Sequence, residues 1–436
     1  MSTTSTHDMT RPGDAIDLYY YDGETSKKQA FPTTINTKYV QQFQNVNGGS
    51  STFTIPPQNG ISDVVLSFAY TNNTGSASGA IALPRGWGYA LINRVSFRYG
   101  GSSQYFLSGQ QVLQNALRAQ TSRTSMDDIL TLGGNVSGAT ELAAGLSVYA
   151  NCVLTLPHNV PSGVGKNHPF PTDLLTQQVQ ITIELFNPAS IFTNQTAAAL
   201  PAWCSSLSQA QFQVAQIMLN NQGDALARRV DMSVNAYSYP AEFCQQLQTI
   251  PLINSLGSQS VVLTGFRSGE VKSIQIWLTE NGATAQSGVA TATNLGYNPF
   301  LWVQPLSVTM SYAGEIYARF DRGVSQLWNL INNNKASSID NVSVSGAAGA
   351  ISVSSPLLSQ WVELPFAQPL VDEDSHYTLV HGKPITNGIV NLDLSIPYVS
   401  SNTGGGTLSQ AGWTLNVSYI YNTTLLFSQG TCDYIF

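Results

Sequence analysis

At 436 residues the chain is longer than one hydrophobic core usually supports, which predicts two domains. Only 10% of its residues are charged, against roughly a quarter in ordinary soluble proteins, and Ser, Thr, Asn, Gln and Gly supply the polar surface instead. A net charge of −7 with no basic block argues against an electrostatic footprint for nucleic acid, and no apolar run reaches the ~18 residues that a membrane-spanning helix needs.

The first stretch, MSTTSTHDMTRPGDAIDLYYYDGETSKK, is polar and has no apolar signal-peptide core. It reads as an N-terminal arm, residues 1–30, and predicts a protein made and assembled inside a cell. Beyond it strand patterns dominate. GISDVVLSFAYTNNTG begins at Gly60, and Pro, Gly, Asn and Ser clusters such as PPQNG mark the turns on either side. From Tyr99 to Leu117 the chain reads YGGSSQYFLSGQQVLQNAL, in which Val112, Leu113, Ala116 and Leu117 form a helical stripe. LTLP ends at Pro157, and VQITIELF then alternates Val179, Ile181, Ile183 and Leu185 with polar residues, the mark of a half-buried strand. FQVAQIML runs through Val214 and ends in Asn-Asn-Gln-Gly. There Asp224 is placed to N-cap a single helical turn, and the two domains are expected to meet between Asn220 and Asp231.

The second half repeats this order. GEVKSIQIWLTENG from Gly269 answers the run from Gly60, and VELP ending at Pro365 answers LTLP. VNLDLSI, with Val390, Leu392, Leu394 and Ile396 on one face, answers VQITIELF. WTLNVSYIY, with Trp413, Leu415, Val417, Tyr419 and Tyr421, answers FQVAQIML. Between them YAGEIYARFDRGVSQLWNL, Tyr312 to Leu330, matches the Tyr99 passage at Gly101/Gly314, Tyr105/Tyr317, Gly109/Gly323, Leu113/Leu327 and Asn115/Asn329. Its own helical stripe is Val324, Leu327, Trp328 and Ile331. Short strands match one another easily, but a shared order at offsets of about 203 to 214 residues indicates an internal duplication. Antiparallel all-β domains of about 200 residues close into sandwiches or jelly rolls to manage their sheet edges.

Motifs for chemistry are scarce. PSGVGKN fails as a phosphate loop, with Val160 at the first glycine position and Asn167 where Ser or Thr holds magnesium. No G-x-S-x-G elbow and no H-E-x-x-H helix occur. Of the histidines, His7 lies in the arm, His158 and His168 flank a Pro/Gly loop, His376 follows Asp372-Glu373-Asp374, and His381 stands nearby. The last group reads as a solvated loop cluster, with a metal or acid–base site as the sharper alternative. Arg228-Arg229 reads as a solvated turn. Cys152, Cys204, Cys244 and Cys432 are widely spaced without a C-x-x-C pair, which predicts buried idle thiols and no zinc site. The six N-x-S/T sequons, at Asn72, Asn135, Asn194, Asn341, Asn416 and Asn422, match what chance gives in a chain so rich in these residues. No catalytic, cofactor-binding or metal-binding residue is assigned, no cofactor is expected, and the chain is not expected to be an enzyme.

Two tandem β domains, poor in charge and empty of catalytic motifs, resemble the double jelly-roll major capsid proteins of the adenovirus-hexon, large-DNA-virus, virophage and polinton-like type. WGYALINRVSFRYGGSSQYFLSGQQVLQNAL (Trp87 to Leu117) is similar to the family's strand, Gly-Gly and helix passage, although Gln110, Gln111 and Gln114 stand where tryptophan and acidic residues are common. FQVAQIMLNNQGDALARRVDMSVNAYSYPAEF (Phe212 to Phe243) resembles the crossover between its two rolls, and FRSGEVKSIQIWL (Phe266 to Leu278) an early strand of the second. The resemblance covers roughly residues 30 to 436. It implies an all-β fold of two tandem antiparallel eight-stranded jelly rolls with a few short helices in loops, residues 31–223 and 224–436. It further implies homotrimers forming pseudo-hexagonal capsomers that tile the facets of an icosahedral shell in a DNA virus virion. The implied partners are neighbouring capsomers, vertex (penton) and minor capsid proteins, and a neighbouring chain or an internal membrane touched by the arm, with no sequence-specific nucleic-acid binding. Loops at Gly133 to Ala150 and Gly282 to Asn298 would form the outer tower. Two other readings share the composition: a tandem carbohydrate-binding, lectin-like β-sandwich, and a β-sandwich enzyme using carboxylates around Asp372 to Asp374.

Overall fold

The computed structural model describes residues 6–8 and most of 34–436; the larger stretches outside the described residues are 157–169, 281–304, 322–341, 345–350, 354–360, 367–381 and 397–412. Sixteen strands carry the architecture. In the first half they are β1 (Thr34–Gln42), β2 (Gly49–Ile55), β3 (Gly60–Thr71), β4 (Ile92–Arg98), β5 (Tyr105–Ser108), β6 (Ser147–Leu154), β7 (Val179–Leu185) and β8 (Gln209–Leu219). In the second they are β9 (Ala236–Cys244), β10 (Gly257–Leu263), β11 (Glu270–Glu280), β12 (Ser307–Tyr312), β13 (Glu315–Asp321), β14 (Val362–Pro365), β15 (Val390–Ile396) and β16 (Trp413–Ser428).

Pairing gives each half two sheets in the same order. The first half forms β1-β8-β3-β6 and β2-β7-β4-β5; the second forms β9-β16-β11-β14 and β10-β15-β12-β13. Numbered within each half, both read 1-8-3-6 and 2-7-4-5, an eight-stranded antiparallel jelly roll made twice. The duplication reaches down to single residues. Between β3 and β8 the register passes from Asp63 to Ile61, skipping Ser62. Between β11 and β16 it passes from Ser273 to Val271, skipping Lys272. The bulge thus falls on the third residue of the third strand in both rolls, where it adds local twist to the sheet.

Period-two alternation places each core. VQITIEL alternates buried and half-buried residues along its whole length, and Val390, Leu392 and Leu394 are buried between exposed neighbours. In the first roll Phe53 of β2 stacks on Phe212 of β8, with ring centroids 4.3 Å apart, so two aromatic faces join the two sheets. The passages matched in the sequence fall on equivalent strands: the Gly60 and Gly269 runs on β3 and β11, the Val179 and Val390 runs on β7 and β15, and the Val214 and Val417 runs on β8 and β16. Tyr99 and Tyr312 close the fourth strands, while Tyr105 and Tyr317 lie in the fifth.

Two details differ from expectation. WTLNVSYIY belongs to a sixteen-residue strand, and from Leu415 to Tyr421 it is buried on both faces instead of one. The arm is also not wholly separate, because Thr6–Asp8 pairs in parallel with Ala236–Ser238 at the edge of β9. Asp224 and the stripe from Val324 to Ile331 lie outside the described residues; Leu226 and Val230 beside Asp224 are helical and exposed.

Candidate structural site: the junction between the two rolls

The burial of both faces of β16 leads to the helix α1 (Gly109–Arg118), which follows the fifth strand of the first roll. Ser108 and Gln111 start it with a capping box: the Gln111 amide N–H donates to Ser108 Oγ at 3.3 Å, and the Ser108 N–H donates to Gln111 Oε1 at 3.0 Å. The predicted stripe of Val112, Leu113, Ala116 and Leu117 is buried in the first roll. Gln111, Gln114 and Arg118, spaced three and four apart, form the adjoining face and are buried too.

That second face meets the outer side of the sheet β9-β16-β11-β14. Gln111 Nε2 donates to Gln245 O at 2.7 Å and to Ser418 Oγ at 2.9 Å, and lies 3.3 Å from Cys244 Sγ. The Trp277 indole donates to Gln110 Oε1 at 3.0 Å. Hence Ser273, Gln275, Trp277, Asn416 and Ser418, which point away from the core of the second roll, are all buried. The polar positions of WTLNVSYIY face another domain instead of water.

A charge cluster sits at the far end of the helix. Arg118 donates from Nη1 to Glu242 Oε2 at 3.1 Å and from Nη2 to Glu363 Oε1 at 3.2 Å. Lys272, the bulge residue of β11, pairs closely with the other oxygen of Glu242. Ser273 Oγ and Gln275 Nε2 complete the shell around Glu363, at 2.7 and 3.3 Å. Burial works against the charge on Arg118, but Glu363 and Glu242 more than offset it and hold the guanidinium cationic. Burial alone would raise the Glu242 carboxyl; Lys272 and Arg118 together bring it below its ordinary value. In a chain with so few charges, two cations and two carboxylates from α1, β9, β11 and β14 are gathered where the rolls meet.

The C-terminal hairpin adds a second clasp. β16 turns through Gln429 and Gly430, with φ of 50° and 77°, into β17 (Thr431–Ile435). Thr176 of the first roll donates its N–H to Gly430 O at 2.9 Å. Phe170 lies 5.4 Å from Phe427, and Tyr105 lies 5.0 Å from Phe243 and 5.8 Å from Tyr434. The Cys244 N–H donates to the Tyr105 hydroxyl at 3.0 Å. One tyrosine of the repeated passage therefore anchors the junction.

Arg118, Glu242, Lys272 and Glu363 were not singled out by sequence reasoning. The available signal was their rarity: Glu242 and Lys272 stand within strands of an almost uncharged chain. His158, His168, His376, His381, Asp372 to Asp374, Arg228-Arg229 and the loop Gly282 to Asn298 lie outside the described residues. His7 lies in the short strand paired with β9. All four cysteines are free and buried. Burial pushes Cys244 up to about 11 and Cys204 up to about 12, and Cys152 and Cys432 also upward. A thiol reagent at mildly alkaline pH is expected to label none of the four in the folded chain and all four after denaturation. Rapid labelling of the folded chain would contradict this burial.

No protein-family model and no curated protein matches the chain. Solved structures do. The chain is similar to the capsid protein in the quasi-atomic model of the PBCV-1 virus capsid, at 14% identity and a TM-score of 0.61, covering 94% of this chain and 98% of that one. It is similar to a chain of the Sputnik virophage, at 11% identity and 0.54, with coverages of 92% and 88%. The mavirus major capsid protein matches at 11% identity and 0.52, with coverages of 95% and 93%. These likenesses span both rolls and the junction between them, and the chain is therefore built on the double jelly-roll fold that major capsid proteins share.

Proposed function

We propose that the chain is a non-enzymatic major capsid protein whose homotrimers form pseudo-hexagonal capsomers on the facets of an icosahedral virion. The observation that carries this reading is the same eight-strand order made twice and locked through one buried junction. Two equivalent rolls per chain give six equivalent units from three chains, which a single roll would need six chains to match. The likeness to capsid proteins along nearly the whole length of both chains supports it. A surface poor in charge lets many copies pack with little like-charge repulsion.

The arm, 1–30, and the rolls, 31–223 and 224–436, are the working parts. Neighbouring capsomers, vertex and minor capsid proteins are the partners, and the arm reaches a neighbour, a minor protein or a membrane beneath the shell. Light scattering on the purified chain tests this directly. The expected mass is three times 46.8 kDa. A monodisperse monomer that binds glycans would overturn the reading in favour of a tandem lectin-like protein.

A further inference from the structure

The outer face of β9-β16-β11-β14 presents Ser418, Gln275 and Glu363 in one row, each directly opposite the next on neighbouring strands. The helix α1 is bonded to both ends of that row. Gln111 Nε2 donates to Ser418 Oγ at 2.9 Å, and Arg118 Nη2 donates to Glu363 Oε1 at 3.2 Å. Seven residues of helix rise ~10.5 Å and two strand spacings cover ~9.6 Å, so α1 crosses the strands with its rise matched to their spacing. Gln114 stands three residues beyond Gln111, a rise of ~4.5 Å and so about one strand spacing. That puts Gln114 over Gln275.

Both glutamines are fully buried, and three of their polar atoms are orphaned. Gln114 Nε2, Gln114 Oε1 and Gln275 Oε1 have no hydrogen-bonding partner among the described residues. The Gln275 amide cannot turn round to help. Its Nε2 donates to Glu363 Oε2 at 3.3 Å, and a carboxylate only accepts, so its oxygen is held away from Glu363 as an acceptor. Gln111 has nothing to spare either. Its oxygen accepts from Ser108, and its nitrogen donates to Gln245 and Ser418. Bare amide atoms at this depth would work against the junction at its centre. Two buried amides that face each other beyond bonding distance are the setting in which a water bridges.

We propose that one buried water molecule sits between Gln114 and Gln275 and joins the two rolls at the centre of their junction. Its oxygen accepts from the Gln114 Nε2–H that lies on the carbonyl side of the amide. One of its hydrogens returns to Gln114 Oε1, and the other goes to Gln275 Oε1. Three orphaned atoms are thus answered by about three hydrogen bonds, the usual number for a buried water. The row is then bonded to α1 at every position, directly at Ser418 and Glu363 and through water at Gln275. The cap at Ser108 and the ion cluster at Arg118 become the two ends of one polar network along the helix.

Two measurements on the full chain test this. A crystal structure at a resolution that orders solvent is expected to show one water at about 2.8–3.0 Å from Gln114 and Gln275. A direct bond between the two amides, or no density between them, overturns the inference. Urea unfolding of Gln114→Met, Gln275→Met and the double variant reads the same bridge by its sign. Met is similar to Gln in length and carries no amide. With the water in place, each single variant gives up the bridge and strands the amide opposite, so both midpoints fall. The double variant strands neither, so its midpoint falls by less than the two single shifts together. If the Gln114 amide has no partner in solution, Gln114→Met removes a buried cost and the midpoint rises, which overturns the inference.

Discussion

Glu242→Ala is expected to lower the stability of the chain by about 3–5 kcal/mol, the usual cost of removing one partner from a buried ion pair. Glu242 bonds Arg118 through one oxygen and Lys272 through the other, and its side chain is only 6% exposed. Its loss takes from Lys272 its buried ion-pair partner and leaves Arg118 with Glu363, which is 30% exposed and already hydrogen-bonded. Urea unfolding of the purified protein reads the effect. A loss under about 1 kcal/mol, typical of exposed pairs, would mean that water screens the cluster. Replacing the group together, as Arg118→Met, Glu242→Gln, Lys272→Met and Glu363→Gln, is expected to cost far less, because no charge is left without a partner.

The same carboxylate sets the acid limit. Its folded pKa lies below the ordinary value of about 4.3, so the unfolded chain binds its proton more readily than the folded one. The stability it contributes is present above the ordinary carboxylate range and is lost as pH falls through the depressed folded value. Acidification to the ordinary range should weaken the junction only partly, and full loss should come below it. In Glu242→Gln this acid-dependent component should vanish from stability measured against pH.

Gly109→Ala is the second large effect. A Cβ there would lie 1.8 Å from the carbonyl oxygen of Ile92 and 2.9 Å from its carbon. Both atoms are backbone in β4, so no side chain can swing aside. A loss of about 3 kcal/mol or more is expected, at or beyond the top of the overpacking range. Since Gly109 opens α1, the strain also pulls Gln111 and Arg118 from the second roll. Gly145→Ala is the control: its φ is 75° with nothing within 4 Å of the added carbon, so only the left-handed backbone cost of about 1–2 kcal/mol applies. Equal losses in the two variants would contradict the close approach at Gly109. The contact also accounts for glycine at position 109 of the repeated passage.

The fold was legible because its signals are local and occur twice. Alternation marked β7, β15 and part of β16, and the shared order of short blocks exposed the duplication before any strand was placed. The junction was hidden for a physical reason. Alternation shows which face of a strand avoids water but not what meets the other face. Asn416 and Ser418 look like solvent-facing residues, and only the position of α1 shows them buried. Gln111 and Gln114 likewise read as the wet side of an amphipathic helix. In the structure Gln111 spends its oxygen on the helix cap and its nitrogen on the second roll. The Gln114 amide is buried with no hydrogen-bonding partner among the described residues. The ion cluster was beyond reach because its members are separated by up to 245 positions.

Imaging single particles of the purified protein by electron microscopy, viewed down the symmetry axis, tests the central claim most directly. The account predicts a three-fold ring of six similar densities, paired within chains through the Arg118–Glu242 junction. Isolated two-lobed particles, each a single chain, would contradict it.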